Sequence, residues 1–224
     1  IHREDLNVGA GNVENLAIRM AAPLTVTGQV LVGKDAAGAS PSNMRISLIP
    51  FDAPGGPGVQ AKEDGTFALE NISPGSYRVM VAMPSSTAYL ESVRFGQQDV
   101  TGREIEITSS APLQVRIDAN GGTVTGTITT DGNSALGSTI VLVPVRKELR
   151  ENPFLKTVAT DQNGSFTISN IAPGDYLVFG VEEYDESALD DENQMQNLER
   201  KAKKISLKKG GSESVVLELI RTDS

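Results

Sequence analysis

The sequence predicts an all-β chain of two tandem, seven-stranded, immunoglobulin-like β-sandwiches, with one short helix in the second. Three observations support this fold class: a long internal repeat, short segments in which apolar and polar residues alternate, and a composition rich in turn formers. The 224 residues include 22 Gly and 11 Pro but only 4% aromatic residues and no Trp. Many short strands joined by tight turns give such a profile.

The repeat sets the domain organisation. Its offsets are 126 − 28 = 98 and 174 − 75 = 99 residues, about the size of one small domain. The matching segments are Thr25–Gly28 with Thr123–Gly126, Asp64–Phe67 with Asn163–Phe166, and Asn71–Val79 with Asn170–Val178. We therefore expect one module over residues 23–119 and a second over residues 120–224.

Alternating apolar and polar residues predict the strands. In the first module these are Leu24–Val32, Met44–Pro50, Thr66–Leu69, Ser76–Ala82, Arg103–Ile107 and Leu113–Ile117. In the second they are Thr123–Thr129, Ser138–Val145, Lys156–Thr160, Ser165–Ser169, Asp175–Val181, Lys204–Leu207 and Ser214–Ile220.

Repeated dipeptides predict the turns between these strands. Asp64-Gly65 and Asn163-Gly164 are hairpin dipeptides, because Gly and Asn adopt positive φ at low cost. Pro74-Gly75, which returns as Pro-Gly in the second copy, suits a type II turn with positive φ at the glycine.

Residues 185–203 depart from the strand pattern and predict a short amphipathic helix. Met195, Leu198 and Ala202 fall at helical spacing, acids come early and bases late. Ser187 with Asp190 resembles a capping box at its start.

The first residues resemble the end of a module. Leu16–Met20 matches Leu113–Ile117, and each precedes a Thr-Val-Thr-Gly strand by a few residues. We expect residues 1–22 to be an N-terminal strand, the tail of an upstream repeat.

Charge and composition exclude several classes of function. The net charge is −9, which argues against nucleic acid as a partner, because a nucleic-acid interface needs a basic face. No apolar stretch approaches the ~20 residues of a membrane span, so no direct membrane insertion is expected. Cys is absent, which removes disulfides and thiol chemistry.

The repeated motifs resemble a known family. Val26–Val30, Asp64–Phe67 and Ile72–Val79 follow the pattern of carboxypeptidase regulatory-like, transthyretin-like (prealbumin-like) β-sandwich repeats. The pattern is also similar to collagen-adhesin B-type repeats of bacterial surface proteins. The resemblance implies a spacer, stalk or accessory module of a larger exported bacterial protein, located extracellularly, on the cell surface or in the periplasm. Its partners would be other domains of the same parent chain.

Candidate catalytic and metal-binding residues are few. The chain has one histidine, His2. A catalytic triad would have to use this residue, and a metal site with several histidine ligands cannot form. Asp161 begins a segment similar to a calcium loop, but residue 172, the twelfth position, is Ala where an EF-hand needs Glu. We therefore expect no enzyme activity, no cofactor and no metal site.

Loop aromatics are the candidate ligand contacts. Sugar-binding sandwiches stack exposed rings on pyranose faces, and Phe51, Tyr89, Phe154 and Tyr184 are the candidates. The first functional hypothesis is a non-catalytic spacer or interaction segment, with the glycines of Ala119–Gly122 leaving the hinge angle open. The alternative is an accessory module that binds polysaccharide or peptide through loop tips or an open sheet edge.

Overall fold

A computed structural model describes residues 22–221 except 35, 37–38, 52, 54, 84–87, 152 and 190. Of the segment 1–22, expected to be the tail of an upstream module, only residue 22 is described. In the described part of the chain, no strand of residues 24–119 pairs with a strand of residues 122–220. We therefore treat these two groups as the first and second modules.

The first module packs two sheets against each other. The strands are β1 (Leu24–Val32), β2 (Arg45–Pro50), β3 (Gly58–Gln60), β4 (Thr66–Ile72), β5 (Gly75–Ala82), β6 (Ala88–Phe95), β7 (Gln98–Asp99), β8 (Glu104–Ile107) and β9 (Leu113–Ala119). One sheet has the strand order β4-β1-β9-β6-β7, with β1 and β9 parallel, and the other has the order β3-β2-β5-β8.

The second module has a similar plan. Its elements are β10 (Gly122–Thr130), β11 (Asn133–Ser134), β12 (Thr139–Pro144), β13 (Lys156–Ala159), β14 (Ser165–Ile171), β15 (Gly174–Val181), α1 (Glu192–Lys201), β16 (Lys203–Leu207) and β17 (Ser212–Ile220). A parallel contact between β15 and β17 joins its sheets into one path, β11-β10-β17-β15-β12-β13, with β14 on β10 and β16 on β15. Short 3-10 helical turns lie at Pro41–Asn43, Lys147–Leu149 and Glu186–Leu189.

The predicted all-β fold class is confirmed, and the predicted strands agree with the observed ones to within three residues at each end. The sequence pattern missed β6, an eight-residue strand that pairs with β9 along its length. It also missed the short strands β3, β7 and β11. The seven strands predicted per module are therefore nine and eight in the described residues.

The repeated Thr-Val-Thr-Gly segment and the repeated Gly-x-Phe segment are in contact through their glycine and phenylalanine. Gly28 and Phe67 are partners in the β1–β4 ladder, and Gly126 and Phe166 are partners in the β10–β14 ladder. A Cβ atom added at Gly126 would lie 2.2 Å from the carbonyl oxygen of Val215 and 2.8 Å from Cζ of Phe166. The phenylalanine ring therefore occupies the space that a side chain at the glycine would need.

The repeated Asn-Ile-x-Pro-Gly segment does not form the predicted type II turn. Gly75 has φ 156°, far from the +80° that this turn requires, and it begins β5. The left-handed residue is instead Asn71, with φ 59°, and Asn170 repeats it with φ 55°. Asparagine tolerates this region better than other residues with a side chain, which explains its presence in both copies. The prediction at Gly65 is confirmed, since its φ is +83°.

Helix α1 occupies the same position along the chain, between two paired strands, as β6 does in the first module. The last residue of β5 and the first of β8 are 104 − 82 = 22 positions apart, and those of β15 and β16 are 203 − 181 = 22 positions apart. The predicted helix is confirmed, but the predicted cap is wrong. Asp191, not Ser187, caps the helix and accepts hydrogen bonds from the amides of Asn193 and Gln194, both at 2.9 Å.

The helix covers a second apolar face of the sheet. Ile140 and Leu142 of β12 point into the sandwich core, while Val141 and Val143 belong to a separate cluster with Met195 of α1. Both faces of β12 are thus buried, which explains its unbroken apolar run. With ten residues, α1 is too short and too polar to cross a bilayer, and no other described helix is long and apolar enough.

Candidate functional site

The four aromatic residues singled out from the sequence have different surroundings. Phe51 is 55% exposed, with the Arg78 guanidinium 5.0 Å from the centre of its ring. Tyr89 lies within β6 rather than in a loop and is 5% exposed, and Phe154 is 8% exposed. Tyr184 is half-buried. The structure brings Tyr89, Phe154 and Tyr184 together at the junction of the two modules and leaves Phe51 apart from them.

An apolar contact joins the two modules. Phe154 follows β12 in the second module, yet it packs into the hydrophobic core cluster of the first. Leu149 and Ala172 of the second module also contact that cluster. Burying a phenylalanine is worth roughly 1.5–3 kcal/mol relative to leaving it exposed, so this contact favours one arrangement of the modules. The ring of Phe154 is consequently not available as a flat surface platform.

Three ion pairs also join the two modules. Arg78 pairs with Glu151, Arg103 Nη2 lies 3.4 Å from Glu148 Oε1, and Lys209 Nζ lies 2.5 Å from Asp118 Oδ2. The Lys209 hydrogen bond lowers the pKa of Asp118. Each pair joins one residue of each module, so the three together resist rotation about the linker. An individual ion pair of this kind at a surface contributes only about 0–1 kcal/mol.

The backbone at the junction is tightly packed as well. Gly102, with φ +68°, approaches the second module so closely that a Cβ there would lie 2.1 Å from the carbonyl oxygen of Glu148. The linker consists of Asn120 and Gly121, and a Cβ at Gly121 would lie 2.7–2.9 Å from the backbone of Asn170 and Ile171. The glycines expected to leave the hinge angle open are therefore packed against the second module.

Beside Phe154 the two modules enclose a cleft of about 510 Å³. Lys156 of β13 is the one charged residue among those described that line it. Its Nζ donates a hydrogen bond to the carbonyl oxygen of Ser169 at 3.4 Å, and burial lowers its pKa. Burial, and next the charge of Asp118, raise the pKa of Tyr89. The hydrogen-bonding side chains on the wall are Tyr89, Lys156, Thr157, Thr167, Ser169, Asn170 and Tyr184.

Sequence reasoning identified aromatic residues at this cleft but missed Lys156. A single lysine on a short strand gives no signal by itself, since its significance comes from the module that faces it. His2 lies outside the described residues, and within the described ranges no three His, Cys, Asp or Glu side chains are grouped so that they could hold a metal ion.

The fold and the repeats define an all-β protein of two tandem β-sandwich modules. Residues 119–218, which cover nearly all of the second module, match the family model described as the second beta sandwich domain of BOS complex subunit NOMO1-like proteins. This match covers less than half of the chain and agrees with the resemblance that the motifs carry. The chain matches none of the curated proteins with which it was compared.

Several solved structures match the chain at low identity and low TM-score. GBS52, the minor pilin of Streptococcus agalactiae, is 11% identical with a TM-score of 0.41 over 90% of this chain and 98% of that chain. BcpA, the major pilin subunit of Bacillus cereus, is 9% identical with a TM-score of 0.29 over 87% of this chain and 99% of that chain. The Bacillus anthracis TIE protein is 13% identical with a TM-score of 0.33, and the match spans 89% of this chain but 34% of that protein. These values are too low to support a functional argument.

Proposed function

We propose that this chain is a non-catalytic structural segment in which two β-sandwich modules act as one stiff unit of a larger exported protein. The observation that carries the proposal is the burial of Phe154 of the second module in the core cluster of the first. A stiff pair transmits position and force along a chain of modules, whereas a flexible pair does not. The partners on this proposal are neighbouring domains of the same parent chain, on the cell surface or outside it.

Distance measurements between the modules test the proposal. The chain has no Cys, so spin labels attached at Lys62→Cys and Gln162→Cys, on exposed turns of the two modules, report one distance without background. We expect a narrow distance distribution by pulsed electron paramagnetic resonance. Phe154→Ala should broaden it, because the apolar contact that fixes the angle is lost.

Controls separate junction effects from general loss of stability. Leu136→Ala removes an apolar side chain of similar kind that is 71% exposed, and it should leave the distribution unchanged. Should Phe154→Ala unfold, the double variant Glu148→Gln and Glu151→Gln removes two of the inter-module ion pairs and leaves both cores intact. A broad distribution in the unmodified protein would show that the modules move independently and would overturn the proposal.

The cleft beside Phe154 favours a second candidate, an accessory module that binds saccharide or peptide. Clefts between domains are frequent ligand sites, and a volume of about 510 Å³ is within the range of about 300–1,000 Å³ for small-molecule sites. Saturable binding of a ligand at the cleft, detected by shifts of the amide resonances of β13 and β14, would support this candidate. Binding at Phe51 alone would not support this candidate, because Phe51 does not line the cleft.

A further inference from the structure

Lys156 occupies a position that the fold does not require to be charged. Val158 of β13 pairs with Ile140, and Val59 of β3 pairs with Ile46 in the same way. The residue two positions earlier is Lys156 in the second module and the uncharged Pro57 in the first. The lysine is therefore a feature of the module whose wall forms the cleft and not of the repeat itself.

The ammonium group of Lys156 has hydrogen-bonding capacity to spare. It can donate three hydrogen bonds, and its one described bond is the 3.4 Å contact with the carbonyl oxygen of Ser169. No carboxylate of the described residues forms an ion pair with it or lines the cleft, although the chain contains 29 Asp and Glu residues. A half-buried cation without an anion is unfavourable, because burial removes water that the single bond to Ser169 replaces only in part. An anionic ligand would supply the missing partner.

The remaining wall is suited to a polyhydroxylated molecule. Thr157 and Thr167 each present a hydroxyl group, and Asn170 presents an amide that both donates and accepts. Tyr89 and Tyr184 also line the cleft. We propose that the cleft binds a carboxylate-bearing saccharide, with its carboxylate on Lys156 and its hydroxyl groups on the threonine and asparagine side chains. This inference rests on the second candidate function above and on the fixed junction that shapes the cleft.

A titration with a uronic acid disaccharide and its ester tests the charge requirement. Digalacturonate and its dimethyl ester have the same rings and ring hydroxyl groups, but only the acid carries negative charges. We expect the acid to shift amide resonances of β6, β13 and β14 in a saturable manner and to bind at least tenfold more tightly than the ester. Lys156→Gln should abolish this difference, while Lys208→Gln, an exposed lysine outside the cleft, should preserve it.

The possible failures are distinguishable. Equal binding of acid and ester at the cleft, or an unchanged preference in Lys156→Gln, overturns recognition of the carboxylate but leaves the binding role intact. Absence of binding by either sugar, together with a narrow distance distribution between the modules, overturns the saccharide site and leaves the structural role standing. Shifts confined to residues outside the cleft overturn the assignment of the site.

Discussion

The hydroxyl group of Tyr176 donates a hydrogen bond to the carbonyl oxygen of Ala172 at 2.8 Å. The first module repeats this relationship, since the Tyr77 hydroxyl donates to the carbonyl oxygen of Ser73 at 2.7 Å. Each tyrosine therefore fixes the segment that leads into its own strand, much as a tyrosine corner does in other sandwiches. The bond gives the tyrosine of the repeated Pro-Gly-x-Tyr motif a structural role.

Replacing Tyr176 with Phe should destabilise the protein by about 1 kcal/mol, because a net hydrogen bond of about 0.5–1.5 kcal/mol is lost while the ring stays buried. Tyr77→Phe should cost a similar amount. The two sites are in different modules, so the double variant should show the sum of the two effects. Urea unfolding at neutral pH measures the stability of all three variants. An unchanged midpoint in both single variants would show that the tyrosine hydrogen bonds do not stabilise the fold.

The same tyrosine predicts a loss of stability at high pH. Burial raises the pKa of Tyr176 above its ordinary value near 10. A group with a raised folded-state pKa contributes stability below the unfolded pKa and loses it as pH rises through the folded one. Stability should therefore fall above about pH 10, and the fall should be smaller in Tyr176→Phe. An equal fall in both proteins would show that another group is responsible.

The paired glycine and phenylalanine predict that Gly126→Ala is poorly tolerated. Its methyl group would lie 2.2 Å from the carbonyl oxygen of Val215, a backbone atom of a paired strand that cannot move aside. Overpacking of this kind typically costs about 1–3 kcal/mol. Thr127→Ala, at the exposed neighbouring position, should change stability by less than about 0.5 kcal/mol. Thermal unfolding compares the two, and equal effects would contradict the steric explanation.

Most of the strands could be predicted because each has one buried face and one exposed face. The segment of β6 escaped prediction, since Ala88, Tyr89 and Leu90 are all buried and give no alternation. The turn before β5 was predicted wrongly for another reason. Pro74-Gly75 matches a type II turn locally, but Gly75 already belongs to β5, and the residue with left-handed backbone is Asn71, near the end of β4.

The junction could not be predicted from either copy of the repeat, because its contacts form between the copies. Phe154 looked like an exposed loop ring from the sequence around it, and its burial depends on the core of the other module. The surroundings of Lys156 could not be predicted for the same reason. In the second module alone it would be an ordinary lysine on the edge strand β13, and only the first module makes it part of a cleft. Tandem repeats therefore reveal the fold of each module more readily than the surface between modules.

Lys156→Met should stabilise the protein at neutral pH. Burial lowers the pKa of Lys156, and no charged side chain of the described residues compensates for it within the cleft. A lowered lysine pKa means that the unfolded chain binds more protons between the folded pKa and the unfolded value near 10.4, so the stability of the unmodified protein rises with pH through that window. Methionine keeps the length of the side chain without the charge, so its advantage should be largest below the window and shrink toward pH 10.5.

Urea unfolding of Lys156→Met, of the unmodified protein and of Lys208→Met between pH 7 and pH 10.5 measures this effect. Lys208 is exposed, so its replacement should change little at any pH. Because the Tyr176 contribution is common to all three proteins, it cancels from the differences. A Lys156→Met protein that is less stable at every pH would show that the lysine stabilises the fold. A higher free energy of unfolding in Lys156→Met would show that the lysine charge destabilises the folded protein. A destabilising charge of this kind is expected at a residue that binds a ligand.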